Sequence, residues 1–461
     1  VIGSHNGQAP HEADFFRARQ SQPADPLNHC CWYHRGLART IIRAASDNNI
    51  RDIKMTIGGK TIEQALASLS DMTAGAVPIG KEEHLQRIAR AQAYMQAQGI
   101  AAIYINAGAN LTYFTGTKWY ASERMVGAIL PARGAVEYIA PAFEESTLKD
   151  FMLIEGSVNC WHEHESPYQL FIAVLKRMGI APNPAQPVRV GICESAAFFI
   201  YDGIRPLAEG YALENARAVT AHCRTRKSAA EIALMQRAKD MTLAVHVATA
   251  SMLREGITTT EVEEFINLAH RKVGASGSYF VIVLFGEATA YPHGVSYVQT
   301  LKPGDTVLID TGCKLHNYIS DITRTYVYGE ISERQRSVWN SEKKAQAAAF
   351  AAAQLGVPCE EVDQAARRSL EADGFGPGYK LPGLPHRTGH GIGLDIHEWP
   401  YLVGGDKTPL DVGMCFSNEP MICIPGEFGV RHEDHFYMTE QGPKWFTEPA
   451  HSIDDPFALN K

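Results

Sequence analysis

The apolar positions of the chain fall into a regular pattern only from about residue 80 onward. Leu85, Ile88, Ala89, Ala91 and Met95 recur mostly at three- and four-residue steps, which predicts a helix over Glu82–Gly99 ended by its glycine. The apolar run Ile100–Ile105 reads as a buried strand. Val126–Leu130 and Val136–Ile139 read as two more, parted by Pro131 and Gly134, and Val188–Ile192 as another. The stretch 80–220 is therefore expected to be an α/β domain. It carries no dense group of catalytic residue types, which suits a scaffold and one wall of a cleft.

A second pattern begins near Arg226. Ser228 and Glu231 have capping-box spacing ahead of a long helix to about Glu255, and Thr260 with Glu263 repeats the signal for a helix ending near Gly274. Strands are expected at Tyr279–Phe285, Thr306–Cys313 and Tyr318–Tyr328. The order then restarts, with helices at Glu333–Leu355 and Cys359–Ala372 and strand-like, Gly- and Pro-rich sequence over 387–438. Helix, helix, strands, twice over, predicts two similar halves related by a pseudo-twofold.

Composition narrows the class. The chain has 461 residues, 45% apolar and 20% charged, with a net charge of −8. That is enough for two ordinary globular domains, and no basic run points to nucleic acid. Apolar runs are too short to span a bilayer. The nine cysteines are scattered without a C-x-x-C pair, which fits free buried thiols in a cytoplasmic protein. Residues 1–54 lack steady periodicity and the layout of a signal peptide. Met55 is expected to be the natural start, with 1–54 a disordered or added extension; packing on a partner subunit is the alternative.

Chemistry concentrates in the second half. If the turn after Val307–Cys313 centres between Leu315 and His316, Asp310 and Asp321 face each other with Cβ atoms about 5 Å apart. Facing carboxylates between apolar flanks repel unless a cation lies between them. Both being solvated beside a turn is the plain alternative. A second hairpin centred on Gly426 sets Glu419 opposite Glu433. Between these blocks runs His386-Arg-Thr-Gly-His390-Gly-Ile-Gly-Leu-Asp-Ile-His397. Its glycines give a flexible or closely approached backbone around His390. The spacing does not fit a zincin, because no Glu follows His386. Asp310, Asp321, His390, Glu419 and Glu433 form a candidate set for two divalent cations. One imidazole among oxygens suits Mn²⁺, with Co²⁺, Zn²⁺ or Fe²⁺ also compatible.

Asp310-Thr-Gly, Asp321-Ile-Thr-Arg-Thr, Gly389-His-Gly-Ile-Gly, His397-Glu-x-Pro, Asn418-Glu-Pro and Gly429-Val-Arg-x-Glu433 together resemble the pita-bread metallopeptidases, peptidase family M24. Pro385–His390 and Ala290-Tyr-Pro-His-Gly294 are most similar to the bacterial Xaa-Pro dipeptidases, or prolidases. The resemblance covers most of 80–455. It implies a two-domain α/β chain, with a creatinase-like N-terminal domain over 55–222 and a pseudo-twofold α+β pita-bread catalytic domain over 223–461. It further implies a homodimer and hydrolysis of the imide bond of Xaa-Pro dipeptides by a hydroxide bridging two metals. By the same resemblance Asp310 binds one metal, Asp321 and Glu433 bridge both, and His390 and Glu419 complete the other. Glu419 also transfers a proton, His293 sits beside the leaving nitrogen, His397 stabilises the tetrahedral intermediate, and Arg431 lies near the metal carboxylates. His386 fits a supporting role around the ligands. One departure is visible: the loop Tyr401–Asp411 offers Lys407 but no arginine to hold a substrate carboxylate, which leaves dipeptide and longer-peptide preferences open. The family also contains aminopeptidases acting before Pro, enzymes of small osmolytes and non-catalytic binding proteins. The filled ligand positions disfavour the last.

Overall fold

The computed structural model describes residues 57–457. The segment 1–54 and Met55, with the expectations attached to them, lie outside the described residues.

The first part is built on a six-stranded mixed sheet, ordered Val158–Trp161, Glu137–Pro141, Gly127–Pro131, Ala102–Asn106, Val188–Ile192, Tyr211–Asn215. Its central strand, Ala102–Asn106, is buried at every position, as its unbroken apolar run predicts. It pairs antiparallel with Gly127–Pro131 and parallel with Val188–Ile192. The helix Lys81–Gln98 covers one face and stops at Gly99, whose φ of 67° suits a residue without a Cβ. Pro167–Arg177 packs on the other face through Phe171 and Leu175. The two outer strands, Val158–Trp161 and Tyr211–Asn215, escape the sequence reading because their burial is mixed.

The second part opens with helices Ala229–Met252 and Thr259–Lys272. Ser228 and Glu231 form the expected reciprocal cap. The second cap is Thr258 with Glu261, two residues before the expected pair, because Thr259 and Thr260 already lie in the helix. Helices Glu333–Ala352 and Cys359–Ala372 repeat the arrangement. Strands Ser278–Phe285, Thr306–Leu315 and Ile322–Val327 make one sheet. Five strands from 389 to 445 make another, with Met421–Ile424 and Phe428–Arg431 as a separate ribbon. Among the described residues the cysteines are free, and all but Cys160 are buried.

Residues 58–72 lie on the second part rather than the first: the Gly58, Lys60 and Met72 amides donate to carbonyls of Ala250, Ser251 and Val273. The two parts also share a buried ionic knot. Arg87, 1% exposed, reaches Glu83 at 2.7 Å, the Tyr318 hydroxyl at 3.1 Å and Glu231 at 3.4 Å. Removing one member of a buried pair strands the other's charge. Arg87→Met is therefore expected to cost about 3–5 kcal/mol, read as a lower urea midpoint; a loss under about 1 kcal/mol would show that the knot is dispensable.

Candidate metal centre and active site

A cavity of about 480 Å³ is lined by His293, Asp310, Asp321, His386, Arg387, His390, His397, Glu419, Arg431 and Glu433, with Phe280, Ile282, Pro292, Pro385 and Ile396. Every candidate site residue proposed from the sequence lines it. They arrive from different elements: Asp310 from Thr306–Leu315, His390 from Gly389–Gly391, Arg431 from the end of Phe428–Arg431, and Glu419 and Glu433 from the gaps where the second hairpin changes sheets.

The first hairpin differs from the expected register. Leu315 pairs with Tyr318, so the turn is His316–Asn317, both at positive φ (47° and 74°), as a two-residue mirror-type turn demands. Asp310 therefore pairs with Thr323 instead of Asp321. The shift is two residues, one full period of a strand, so both carboxyls keep the same face as diagonal neighbours. The chain leaves regular pairing at Ser320–Asp321, where a Cβ on Gly312 would meet the Ser320 carbonyl oxygen at 1.8 Å. Only glycine permits that approach.

The second hairpin has the expected register on either side of the site. Asn418 pairs with Asp434 and Met421 with Arg431. At Glu419 and Glu433 the strands part: the Glu419 amide donates to the Thr388 carbonyl and the Glu433 amide to that of Thr323. Each acid is thereby fastened to a neighbouring strand and held toward the cavity. Glycine serves His390 by close approach, since a Cβ on Gly389 would lie 2.1 Å from the Ser417 carbonyl.

The buried carboxyls crowd one another, a repulsion that a cation between them would relieve. Burial, then Asp310 and Glu419, push the Asp321 carboxyl well above its ordinary range; burial, then Asp321 and Glu419, do the same to Glu433. Asp310 is also raised, burial outweighing Arg431. Burial opposes ionisation of Glu419 too, but the His390 hydrogen bond and charge, with His386 and Arg431, hold it down to about 2. Asp310 Oδ1, Asp321 Oδ1 and Glu433 Oε1 are buried without a hydrogen-bond partner. His390 Nδ1 donates to the Gly391 carbonyl at 3.0 Å, which directs Nε2 at Glu419 Oε1, 3.0 Å away. Orphaned anionic oxygens around an imidazole presented through Nε2 are the donor set of a divalent metal site, so these residues fit such ions.

Supporting contacts fix the acids. Arg431 donates to Asp310 at 2.6 Å and to the Pro292 carbonyl at 3.1 Å, which places the turn bearing His293. Thr323 Oγ1 donates to Glu433 and Ser417 Oγ to Glu419. The His397 ring stands 4.2 Å from that of His390, edge to face; burial first, then His390, push its pKa down to about 4.

Two residues near the centre were missed from the sequence. His435 is buried, both ring nitrogens lack partners, and Nε2 lies 3.7 Å from Glu433 Oε1; with Asp321 and Glu433 it forms a second potential metal-binding group. Its signal was there to find, two strand positions after Glu433 and on the same face. Lys239 is fully buried, its pKa lowered to about 8 by burial against the charges of Cys415, Asp321 and Glu433. Nothing in its helical context marks it.

The profile of Metallopeptidase family M24 matches residues 233–440, and that of the Creatinase/Prolidase N-terminal domain matches 87–226. The chain belongs to metallopeptidase family M24, close to the prolidases, with a creatinase-type first domain and a pita-bread second domain. It is 35% identical to the protein described as "Probable dipeptidase PepE" of Mycobacterium tuberculosis, over 78% of this chain and 93% of that one. Among solved structures it is similar to dipeptidase PepE of Mycobacterium ulcerans (TM-score 0.74, 32% identity, 82% of this chain and 98% of that one). It is also similar to a prolidase of Thermococcus sibiricus (TM-score 0.72, 30% identity, 79% and 97%). The chain is thus a metal-dependent peptide hydrolase. Among the described residues no helix is long and apolar enough to cross a membrane.

Proposed function

We propose that this chain hydrolyses Xaa-Pro dipeptides and holds two divalent ions, Mn²⁺ foremost, through Asp310, Asp321, His390, Glu419 and Glu433. The observation that carries the reading is the convergence of these five side chains, three with orphaned oxygens, at one cavity. In this assignment Asp310 would hold one ion, His390 and Glu419 would hold the other, and Asp321 and Glu433 would serve the pair. Such a pair supplies an acidified water and a polarised carbonyl.

The chain's own groups do the rest. Glu419, kept ionised, accepts the proton of the attacking water and returns it toward the proline nitrogen. His293, on the turn held by Arg431, faces that nitrogen. His397 donates to the oxygen that becomes negative as the carbonyl is attacked. Arg431 offsets part of the burial cost of charge on Asp310 and aims its carboxyl. Proline lacks an N–H when acylated, so recognition falls to ring shape and the free carboxylate. Phe280, Ile282 and Ile396 offer apolar walls for a ring. A homodimer in the cytoplasm belongs to the same proposal.

The test is an assay of metal-stripped and Mn²⁺-restored protein on Ala-Pro, Ala-Pro-Ala and Ala-Ala. Proline release from Ala-Pro alone, lost on stripping and regained with Mn²⁺, is the expected result. Preference for the tripeptide would make the enzyme an aminopeptidase instead.

A further inference from the structure

Beneath the carboxylates proposed to hold metal lies an imidazole that the five-residue set does not use. His435 is buried, and neither ring nitrogen has a hydrogen-bond partner among the described residues. The Asp321 backbone approaches the ring without reaching hydrogen-bond geometry. A neutral imidazole carries one donor and one acceptor, and burying both unpaired is costly. Two orphaned nitrogens in a closed interior therefore call for a partner from outside the chain.

The strand Asp434–Thr439 aims His435 at the acids. His435 pairs with Ser417 in an antiparallel ladder, so the two side chains share a face. Ser417 Oγ accepts from the His390 amide at 2.9 Å and donates to Glu419 at 3.1 Å, which makes that face the one bearing the candidate ligands. Asp434, one position earlier, turns the other way and is held by Arg324 at 2.7 Å and Gln346 at 3.1 Å. The His435 ring stands 6.3 Å from that of His390, edge to face. Glu433 Oε1 thus has an imidazole on either side, His435 Nε2 at 3.7 Å and His390 Nε2 at 3.9 Å. Among the described residues the potential metal-binding groups are His390–Glu419–Glu433 and Asp321–Glu433–His435, which share only Glu433 and have one imidazole each. The donor atoms of the second group lie within 4.8 Å of one another. Donors about 2.1 Å from one ion stand up to about 4.2 Å apart, so a closure of no more than about 0.6 Å gives one ion all three.

We propose that His435 is a further metal ligand, serving the ion assigned to Asp310, so that each ion of the pair has one imidazole among its carboxylates. This rests on the two-ion reading and extends its ligand set. A nitrogen donor favours Co²⁺ and Zn²⁺ over Mn²⁺, so His435 sets the metal preference of that position.

The test titrates chelator-treated intact protein, His435→Phe and His435→Gln with Co²⁺ and with Mn²⁺, counting bound ions by equilibrium dialysis; no substrate is needed. The intact protein is expected to take up two ions. In its Co²⁺ form the proton NMR spectrum should show two hyperfine-shifted, exchangeable imidazole N–H signals, one from each coordinated ring, and His435→Phe should show one. His435→Phe should bind one ion within about threefold of the intact affinity and the other about 100-fold more weakly for Co²⁺ but about tenfold for Mn²⁺. His435→Gln offers an oxygen at similar reach and should restore Mn²⁺ binding more than Co²⁺ binding. With chelator present, His435→Phe should resist urea at least as well as the intact protein, because an apolar ring replaces one with unpaired nitrogens. Two ions bound by the intact protein with a single shifted imidazole overturn the proposal and leave the two-ion reading standing. An equal loss for both metals, joined to a lower urea midpoint in chelator, marks a structural histidine and also overturns it, as do unchanged affinities in both variants. Fewer than two ions on the intact protein overturn the two-ion reading and the proposal together.

Discussion

Replacing Glu433 by Gln is expected to abolish peptide hydrolysis and at the same time to make the metal-free protein more stable. Glu433 is 1% exposed, and burial with Asp321 and Glu419 raises its pKa well above 4.5. A carboxyl raised on folding is deprotonated first in the unfolded chain. Stability of the metal-free protein therefore falls as pH climbs from the unfolded value through the folded one. A neutral amide removes that loss and still accepts from Thr323. The gain at neutral pH should be about 1–3 kcal/mol. Metal reverses the order. Ions that bind only the folded state stabilise it by about 4 kcal/mol at a thousandfold excess over Kd, and the variant forfeits much of this. Hydrolysis should fall by roughly 10³-fold or more, because the position serves both proposed ions. Urea unfolding of both proteins with chelator and with Mn²⁺ reads the crossover. If Glu433→Gln were the less stable protein without metal and gained as much from Mn²⁺ as the intact chain, the residue would not be a ligand.

Glu398 should give the largest acid-sensitive effect outside the metal centre. It is 8% exposed and paired with Arg224 and, at 2.9 Å, with Lys227; it also accepts from the Leu394 and Asp395 amides. Burial would raise its pKa, but the two cations and the hydrogen bonds outweigh it and hold the group at about 2, against an ordinary 4.5. The folded value is depressed, so the stabilisation is fully present above about pH 4.5 and is lost as pH falls toward 2. The interval corresponds to about 3 kcal/mol. Glu398→Gln should lose that amount or more at pH 7, since Arg224 and Lys227 are left buried, and its stability should depend less on pH between 5 and 2. The loop that Glu398 fastens carries His397, so kcat is expected to fall by about tenfold or more. Equal slopes of stability against pH in the two proteins would refute the charge assignment.

Local pattern alone accounts for the elements whose signals agree with their environment. The helix ending at Gly99, the buried strand at 102–106 and the Ser228 cap need only periodicity and end chemistry. The candidate site was legible for a related reason: carboxylates and histidines set among apolar residues and glycines have no cheap structural use, so their clustering betrays the chemistry. Other features depend on which strands meet in the folded chain. A turn can slide by two residues without changing which face a side chain occupies, so the sequence brought Asp310 and Asp321 to one side but placed the turn one residue early, before His316. The parting of the second hairpin, which fastens Glu419 to Thr388 and Glu433 to Thr323, involves strands distant in sequence. The same holds for His435 and Lys239 beneath the acids. Whether a charged side chain is neutralised, stacked or left free is settled by neighbours that only folding supplies.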